Sequence, residues 1–364
     1  MATLRKNNSF HIDLPLFTGL IALAGVGLAI LYSASGQDTD IIFKQLIRLS
    51  IGFAVMFVIA QIPPHQFKLW TPWVFALGVI LLLAVLVFGE TGKGAQRWLD
   101  LGFFRFQPSE IMKIAVPLMA AWYLSDRTLP PRHKHLLIGI ILIIIPVLMI
   151  AKQPDLGTSL LVFSSGLFVL LLAGLQWRLI AGFVVAIIPL AWLLWEYGMH
   201  AYQQSRVLTL LDPERDPLGA GYHIIQSKIA IGSGGVYGKG WLNGTQSHLE
   251  FLPESSTDFI FAVFSEEFGL IGTIALLSLY LAVVARGLYI ANQAQNTFNR
   301  LLAGSITLTF FVYVFVNIGM VIGILPVVGL PLPLVSYGGT SMVTLMAGFG
   351  ILMSIHTHRK LLPA

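Results

Sequence analysis

The sequence predicts an all-α, polytopic membrane protein of about ten transmembrane helices, and three observations carry that reading. Of its 364 residues 56% are hydrophobic and 11% charged, whereas soluble domains carry roughly 25% charged residues. Apolar runs close to the ~20 residues needed to cross a bilayer recur along the chain. The connectors between them are mostly too short to form a separate soluble domain, so 1–364 reads as a single integral membrane domain.

In chain order the apolar runs fall at 15–33, 48–62, 69–88, 109–125, 136–151, 159–175, 178–197, 259–285, 303–325 and 340–356. The first follows Arg5 and Lys6 without a convincing cleavage site and reads as an uncleaved anchor. An even number of spans puts both termini on one side. Arg5, Lys6, Lys68, the loop from Arg127 to Lys134, Arg286, Arg300 and Arg359-Lys360 all fall there. Positive charge in short loops marks that side as the cytoplasm. Asp13 and Asp126 are the acids expected beside them, the other acids lying outside or within spans.

Three external segments exceed simple connectors: 89–108, 198–258 and the Pro/Gly-rich 325–339. The large extracytoplasmic loop 198–258, between helices 7 and 8, is far longer than ordinary connections, and such loops are generally functional. Within it, Tyr222 to Ala230 has helical apolar spacing between Asp212-Pro213 and Gly232-Ser-Gly-Gly235, which predicts a short surface helix. No internal repeat is visible, which disfavours the two-half construction of many transporters.

The chain has no cysteine, so disulfides, thiolate nucleophiles and iron–sulfur sites are excluded. Its net charge of +5 is dispersed through loops without a basic stripe, which argues against nucleic acid as a partner. Gly232-Ser-Gly-Gly-Val-Tyr-Gly238-Lys239-Gly240 fails the P-loop pattern, because Ser233 stands where the first glycine is required and Gly240 where a hydroxyl would hold magnesium. Turning or phosphate contact through its backbone amides remain its two uses. His223, His248, His356 and His358 satisfy no zinc spacing and read as surface or boundary residues.

The chemistry concentrates at span mouths. Glu254 and Asp258 lie four residues apart where the long loop meets span eight. One can act as a base while the other stays ionised or binds a cation, or Asp258 can simply cap the helix. Glu110 and Lys113, following Arg105, Gln107 and Ser109, stand three apart on one helix face, where they can pair for function or for packing. Glu266 and Glu267 lie about two turns inside span eight and point roughly 100° apart, open to a proton relay or to pairing with a basic side chain. Lys93 and Arg97, with Lys152 and Asp155, mix cations, amides and turns, as either a diphosphate site or interfacial anchors would require.

Taken together, Lys93-Gly-Ala-Gln-Arg-Trp98, Phe106-Gln-Pro-Ser-Glu110, Gln153-Pro-Asp-Leu-Gly-Thr158, Glu254 with Thr257-Asp258-Phe-Ile-Phe-Ala262, and Pro331-Leu-Pro-Leu-Val-Ser-Tyr-Gly-Gly339 resemble, in order, the signatures of the SEDS family of peptidoglycan glycosyltransferases. Asp212-Pro, Asp216-Pro-Leu-Gly-Ala-Gly-Tyr-His223 and Ser354-Ile-His-Thr-His-Arg359 resemble its cell-elongation branch. The resemblance implies a multi-pass protein of the bacterial cytoplasmic (inner) membrane that polymerises lipid II on the external face and releases undecaprenyl diphosphate. Asp258 matches the family's essential acid. Arg97, Arg105, Gln107, Ser109, Glu110, Lys113, Lys93, Lys152, Asp155 and Glu254 are then expected at the substrate. The resemblance further implies a divalent cation, Mg or Mn, near Asp258 and Asp155. It also implies partners: a class B penicillin-binding transpeptidase, other elongation-complex proteins, and membrane lipid. A lipid II flippase or another transporter is the rival reading, kept alive by Glu110, Lys113, Glu266 and Glu267.

Overall fold

The computed structural model describes residues 10–92, 95–100, 105–176, 181–182, 185, 189, 191–199, 201–216, 219–248 and 254–359. Its first half runs α1 (Leu14–Ala34), α2 (Thr39–Gln61), α3 (Pro64–Phe88), three short strands β1 (Glu90–Gly92), β2 (Ala95–Asp100) and β3 (Arg105–Phe106), then α4 (Pro108–Ser125), α5 (His133–Lys152) and α6 (Leu156–Leu172). The second half contains α7 (Ala201–Leu211), α8 (Ala220–Gly234), α9 (Ile260–Asn292), α10 (Thr297–Val321) and α11 (Thr340–Thr357).

Helix starts follow local chemistry. Asp13 caps α1 by accepting from Leu16 N, Asp38 caps α2, Asp155 accepts from Thr158 N ahead of α6, and Asn296 does the same for α10. Pro108 opens α4 at a position that needs no N–H donor. Among the described residues seven helices are long and apolar enough to cross a membrane: α1, α2, α3, α5, α9, α10 and α11. Helix α6 is apolar but shorter, α4 carries the Glu110–Lys113 pair, and most of the expected span 178–197 lies outside the described residues.

One continuous core runs through the bundle, with α10 and α11 at its centre. Their apolar windows are 61% and 56% buried, against 22% for α2 and α3. The outer helices turn large apolar side chains outward, among them Leu69, Trp73 and Phe88 of α3, as a lipid solvent requires.

The structure adds to two expectations. Segment 89–108 forms an antiparallel sheet in the order β1-β2-β3, pairing Glu90 with Trp98 and Leu99 with Phe106. Among its described residues the long loop carries α7 and α8 with shorter helical turns at Pro213–Arg215 and Thr245–His248, and the expected surface helix, extended as α8, packs down on α9 with Ile224, Ser227 and Ala230 buried.

Helix α9 is also broken, at Gly269, with φ 64° and ψ −162°. The glycine-rich loop after α8 docks into the break: Lys239 N donates to Glu266 O at 3.0 Å, Gly240 N to Glu267 O at 2.9 Å, and Leu270 N to Gly235 O at 3.0 Å. A Cβ on Gly238 would lie 2.1 Å from Glu267 O, and one on Gly269 2.3 Å from Gly238 N. Only glycine permits that approach at positive φ. The loop therefore serves as a backbone dock, the turning use rather than a nucleotide cradle.

Candidate active site

At the end of the bundle where β2, the α5–α6 turn, α7, α8 and the loops before α9 and α11 converge, the surface opens into a cavity of about 530 Å³. Arg97 of β2, Arg206 of α7, His223 of α8, Glu254, Asp258 and Tyr337 contribute its polar lining; Leu156, Leu160, Val327 and Val328 contribute apolar walls. Two carboxylates and two guanidinium groups thus share one partly apolar chamber. A ligand with a charged diphosphate and a lipid tail matches that mixture.

Asp258 is half-buried, one residue before Phe259, which holds the N-cap position of α9 without a side-chain cap. The capping reading therefore gives way to one in which the carboxylate faces the cavity. Glu254 is exposed at a positive φ of 54°, its Oε2 accepting from Thr257 Oγ1 at 2.7 Å.

The adjoining wall is a buried polar lattice. Asp155 is 5% exposed; its Oδ1 accepts from Thr158 N at 3.2 Å and its Oδ2 from Gln107 Nε2 at 3.0 Å. Arg97 stands 3.6 Å from Asp155 Oδ2 through Nε and donates through a terminal nitrogen to Pro154 O at 2.8 Å. Asp155 is therefore behind the cavity lining, orienting Arg97. Lys113 Nζ meets Glu110 Oε1 at 2.6 Å, both side chains 6% exposed, with the ring centroid of Tyr313 5.2 Å from Nζ. Ser109 is buried beside them. The pair expected from spacing is formed, deeper than the cavity lining.

Lys152, by contrast, is exposed at the end of α5 and is not among the cavity residues. Lys93 and the side chain of Arg105 lie outside the described residues.

Glu266 and Glu267 serve the fold. Glu266 is fully buried and accepts from Lys239 Nζ at 2.7 Å, Thr245 N at 2.9 Å and Gln246 N at 3.1 Å. Glu267 accepts from Ser33 of α1. This is the pairing alternative, and neither residue lines the cavity.

Sequence reasoning passed over Arg206 and treated His223 as a surface residue. His223 instead lines the cavity, stacked on Phe259 with ring centroids 5.4 Å apart. The signal available was its place three residues into α8, the helix that the spacing did reveal.

The bundle's opposite end carries a buried ion cluster. Asp13 accepts from Arg286 Nε at 3.0 Å and a terminal nitrogen at 2.6 Å, and meets His356 Nδ1 at 2.7 Å. Burial pushes the Asp13 carboxyl up, but the hydrogen bonds from His356, Arg286 and Leu16 N outweigh it and hold the group well below the usual carboxylate range. Lys68 and Asp126 pair at 2.6 Å on the surface.

Known proteins resemble this chain in both sequence and fold. Peptidoglycan glycosyltransferase MrdB of Escherichia coli K12 is 58% identical over 352 residues, covering 97% of this chain and 95% of its own. A chain from a peptidoglycan synthase complex, described for its structural coordination of polymerization and crosslinking, superposes with a TM-score of 0.83 at 29% identity, covering 96% of this chain and 98% of the other. The rod shape determining protein RodA of Thermus thermophilus superposes with a TM-score of 0.73 at 26% identity over 98% of this chain and all of its own. The model of the FtsW/RodA/SpoVE cell cycle proteins matches residues 7–361, and the chain belongs to that family.

Proposed function

We propose that this protein is the peptidoglycan glycosyltransferase of cell elongation, joining lipid II units into glycan strands and releasing undecaprenyl diphosphate. The observation that carries the reading is the shared cavity of Asp258, Glu254, Arg97 and Arg206 in a chain so close to a named glycosyltransferase. Asp258 takes the proton from the acceptor sugar hydroxyl as that oxygen attacks the anomeric carbon of a glycosyl diphosphate. Arg97 and Arg206, with Lys93 and Arg105 of the same segment, balance the charge growing on the departing diphosphate. Direct displacement inverts the anomeric centre and calls for no protein nucleophile. Gln107, Asp155, Glu110, Lys113 and Ser109 support the wall that orients Arg97, while Glu254 helps set the acceptor.

A divalent cation, Mg or Mn, would neutralise diphosphate charge in this site. Among the described residues no group of three or more histidines and acids gathers to hold a metal. A hydrated cation shared between one or two carboxylates and the substrate phosphates still suits Asp258 and Glu254. Asp155 fits that role poorly, since both its oxygens already accept hydrogen bonds.

The seven long helices, α4, α6 and the 178–197 segment together supply ten spans in one membrane domain, with 198–258 external between the seventh and eighth. Basic loops place both termini in the cytoplasm and the cavity at the external face of the bacterial inner membrane. A class B penicillin-binding transpeptidase and other elongation-complex proteins are the expected partners. Flippase chemistry loses support because Glu110, Lys113, Glu266 and Glu267 are all engaged in internal bonds.

The test is lipid II polymerisation by the purified protein with its inactivated transpeptidase. Asn cannot accept the acceptor's proton, so Asp258→Asn should cut the rate by ~10²-fold or more with folding and complex formation intact. Near-wild-type polymerisation by Asp258→Asn removes Asp258 as the base. Transport of fluorescent lipid II across liposomes without any polymer would overturn the enzyme reading.

A further inference from the structure

Within the loop bearing Asp258, Thr257 N and Phe259 N reach back to Glu254 O, at 3.1 and 3.3 Å, and Thr257 Oγ1 donates to Glu254 Oε2 at 2.7 Å. A catalytic carboxylate must be held within ~0.5 Å of its productive geometry. Further restraint comes from α1, where Ser255 Oγ donates to Ala34 O at 3.1 Å, from the loop before α11 and from α10. Ser336 Oγ donates to Thr257 O at 2.6 Å and accepts from Leu332 N at 2.8 Å. Tyr337 N donates to Ser256 O at 2.9 Å, and Asn317 Nδ2 donates to Asp258 O at 2.9 Å and Leu330 O at 2.7 Å.

Behind Ser336 stands Gln45 of α2, 1% exposed on a membrane-spanning helix. Its Nε2 donates to Ser336 O at 3.2 Å, and its Oε1 accepts a long 3.5 Å bond from Gly338 N. One turn along, the Arg48 guanidinium lies 4.3 Å from the ring centroid of Tyr337, a cavity residue. A buried primary amide is unfavourable in this setting unless its partners are fixed. Its partners here are the backbone atoms that bracket Tyr337.

We infer that Gln45 and Ser336 are positioning residues, a relay from α2 through the loop before α11 that sets where the Asp258 carboxylate stands. The inference rests on Asp258 being the catalytic base. Cations on β2 and α7 bind substrate from other elements, so the relay governs turnover and leaves affinity alone.

The experiment measures lipid II polymerisation by the full-length protein in complex with the inactivated transpeptidase, for Gln45→Met, Ser336→Ala, the double variant and Asp258→Asn. Each single change removes one or two hydrogen bonds and should lower kcat about tenfold. KM for lipid II should stay within about twofold, because uniform binding is untouched. Because Gln45 reaches the acid loop only through the 336–338 backbone that Ser336 also anchors, the loss in the double variant should fall short of the product of the two single losses. Losses that multiply in the double variant, a KM that rises in step with the fall in kcat, or wild-type kcat in either single variant would overturn the relay. An active Asp258→Asn would instead bring down the base assignment and the relay with it; a dead Asp258→Asn beside a fully active Gln45→Met would bring down the relay alone.

Discussion

The acid loop and the break in α9 are neighbours in sequence, yet they treat their carboxylates in opposite ways. Asp258 is held by its backbone, while its side chain lines a cavity that also contains two arginines. Glu266 is held by its side chain, with Lys239, Thr245 and Gln246 closing around it and no surface exposed. Both are acids at the head of one apolar helix, where ionisable groups are costly enough to suggest function. The contrast shows that the deciding feature is what the side chain faces. Glu266 is enclosed by donors from the glycine-rich loop and acts as a strut, whereas Asp258 lines a cavity open to a ligand.

If that distinction is right, Asp258→Asn should abolish polymerisation without unfolding the protein, the largest effect expected. Substitutions at the struts should do the reverse. Lys113→Met leaves Glu110 charged and buried, which costs roughly 3–5 kcal/mol. Thermal or denaturant unfolding in detergent should register that loss, and a charge-swapped Glu110→Lys with Lys113→Glu should recover part of it. A double swap as unstable as either single variant would mean that the 2.6 Å pair contributes no coupling.

Glu266→Gln should come next, at roughly 3 kcal/mol, because Lys239 loses its countercharge where it is largely shielded. Activity per folded molecule should change little. A Glu266→Gln protein of normal stability with lost turnover would erase the contrast and return Glu266 to the chemistry.

The smallest effect belongs to Asp13, at the opposite end of the bundle. The folded-state pKa of Asp13 is depressed, so its ionised form stabilises the fold at every pH above its unfolded value of ~3.9, and that contribution fades as pH falls further. Asp13→Asn should therefore be less stable than wild type at neutral pH and lose less than wild type on acidification below about pH 4. Parallel acid-unfolding curves for the two proteins would show that Arg286 and His356 do not stabilise the ionised form.

Much of this protein was legible in its residues. Bilayer thickness forces long apolar helices, so spans could be read from hydropathy, and nine of the ten expected spans overlap the α-helices α1 to α6 and α9 to α11, while the described part of 178–197 includes the helical turn Leu194–Gly198. The i,i+3 spacing of Glu110 and Lys113 dictates their contact, because three residues bring side chains to one helix face. The motif around Asp258 could be recognised because residues 257–262 form one contiguous run of residue types, readable without any tertiary partner. Other features needed the folded chain. Spacing left Asp258 divided between cap and base, and Glu266 between relay and strut, since each depends on partners brought in by other elements. Gln45 and Ser336 lie 291 residues apart, and nothing in either neighbourhood announces the other. Lys152 matched the local pattern of a binding residue but is exposed at the end of α5 and is not among the residues lining the cavity, since one residue's rotation at a helix end, about 100°, changes which side a cation faces. Local rules determined which segments cross the membrane and which side chains pair within a turn. Only the packing of helices distant in sequence decided which of the buried acids meets a cavity and which is enclosed, because that outcome depends on donors contributed by the rest of the chain.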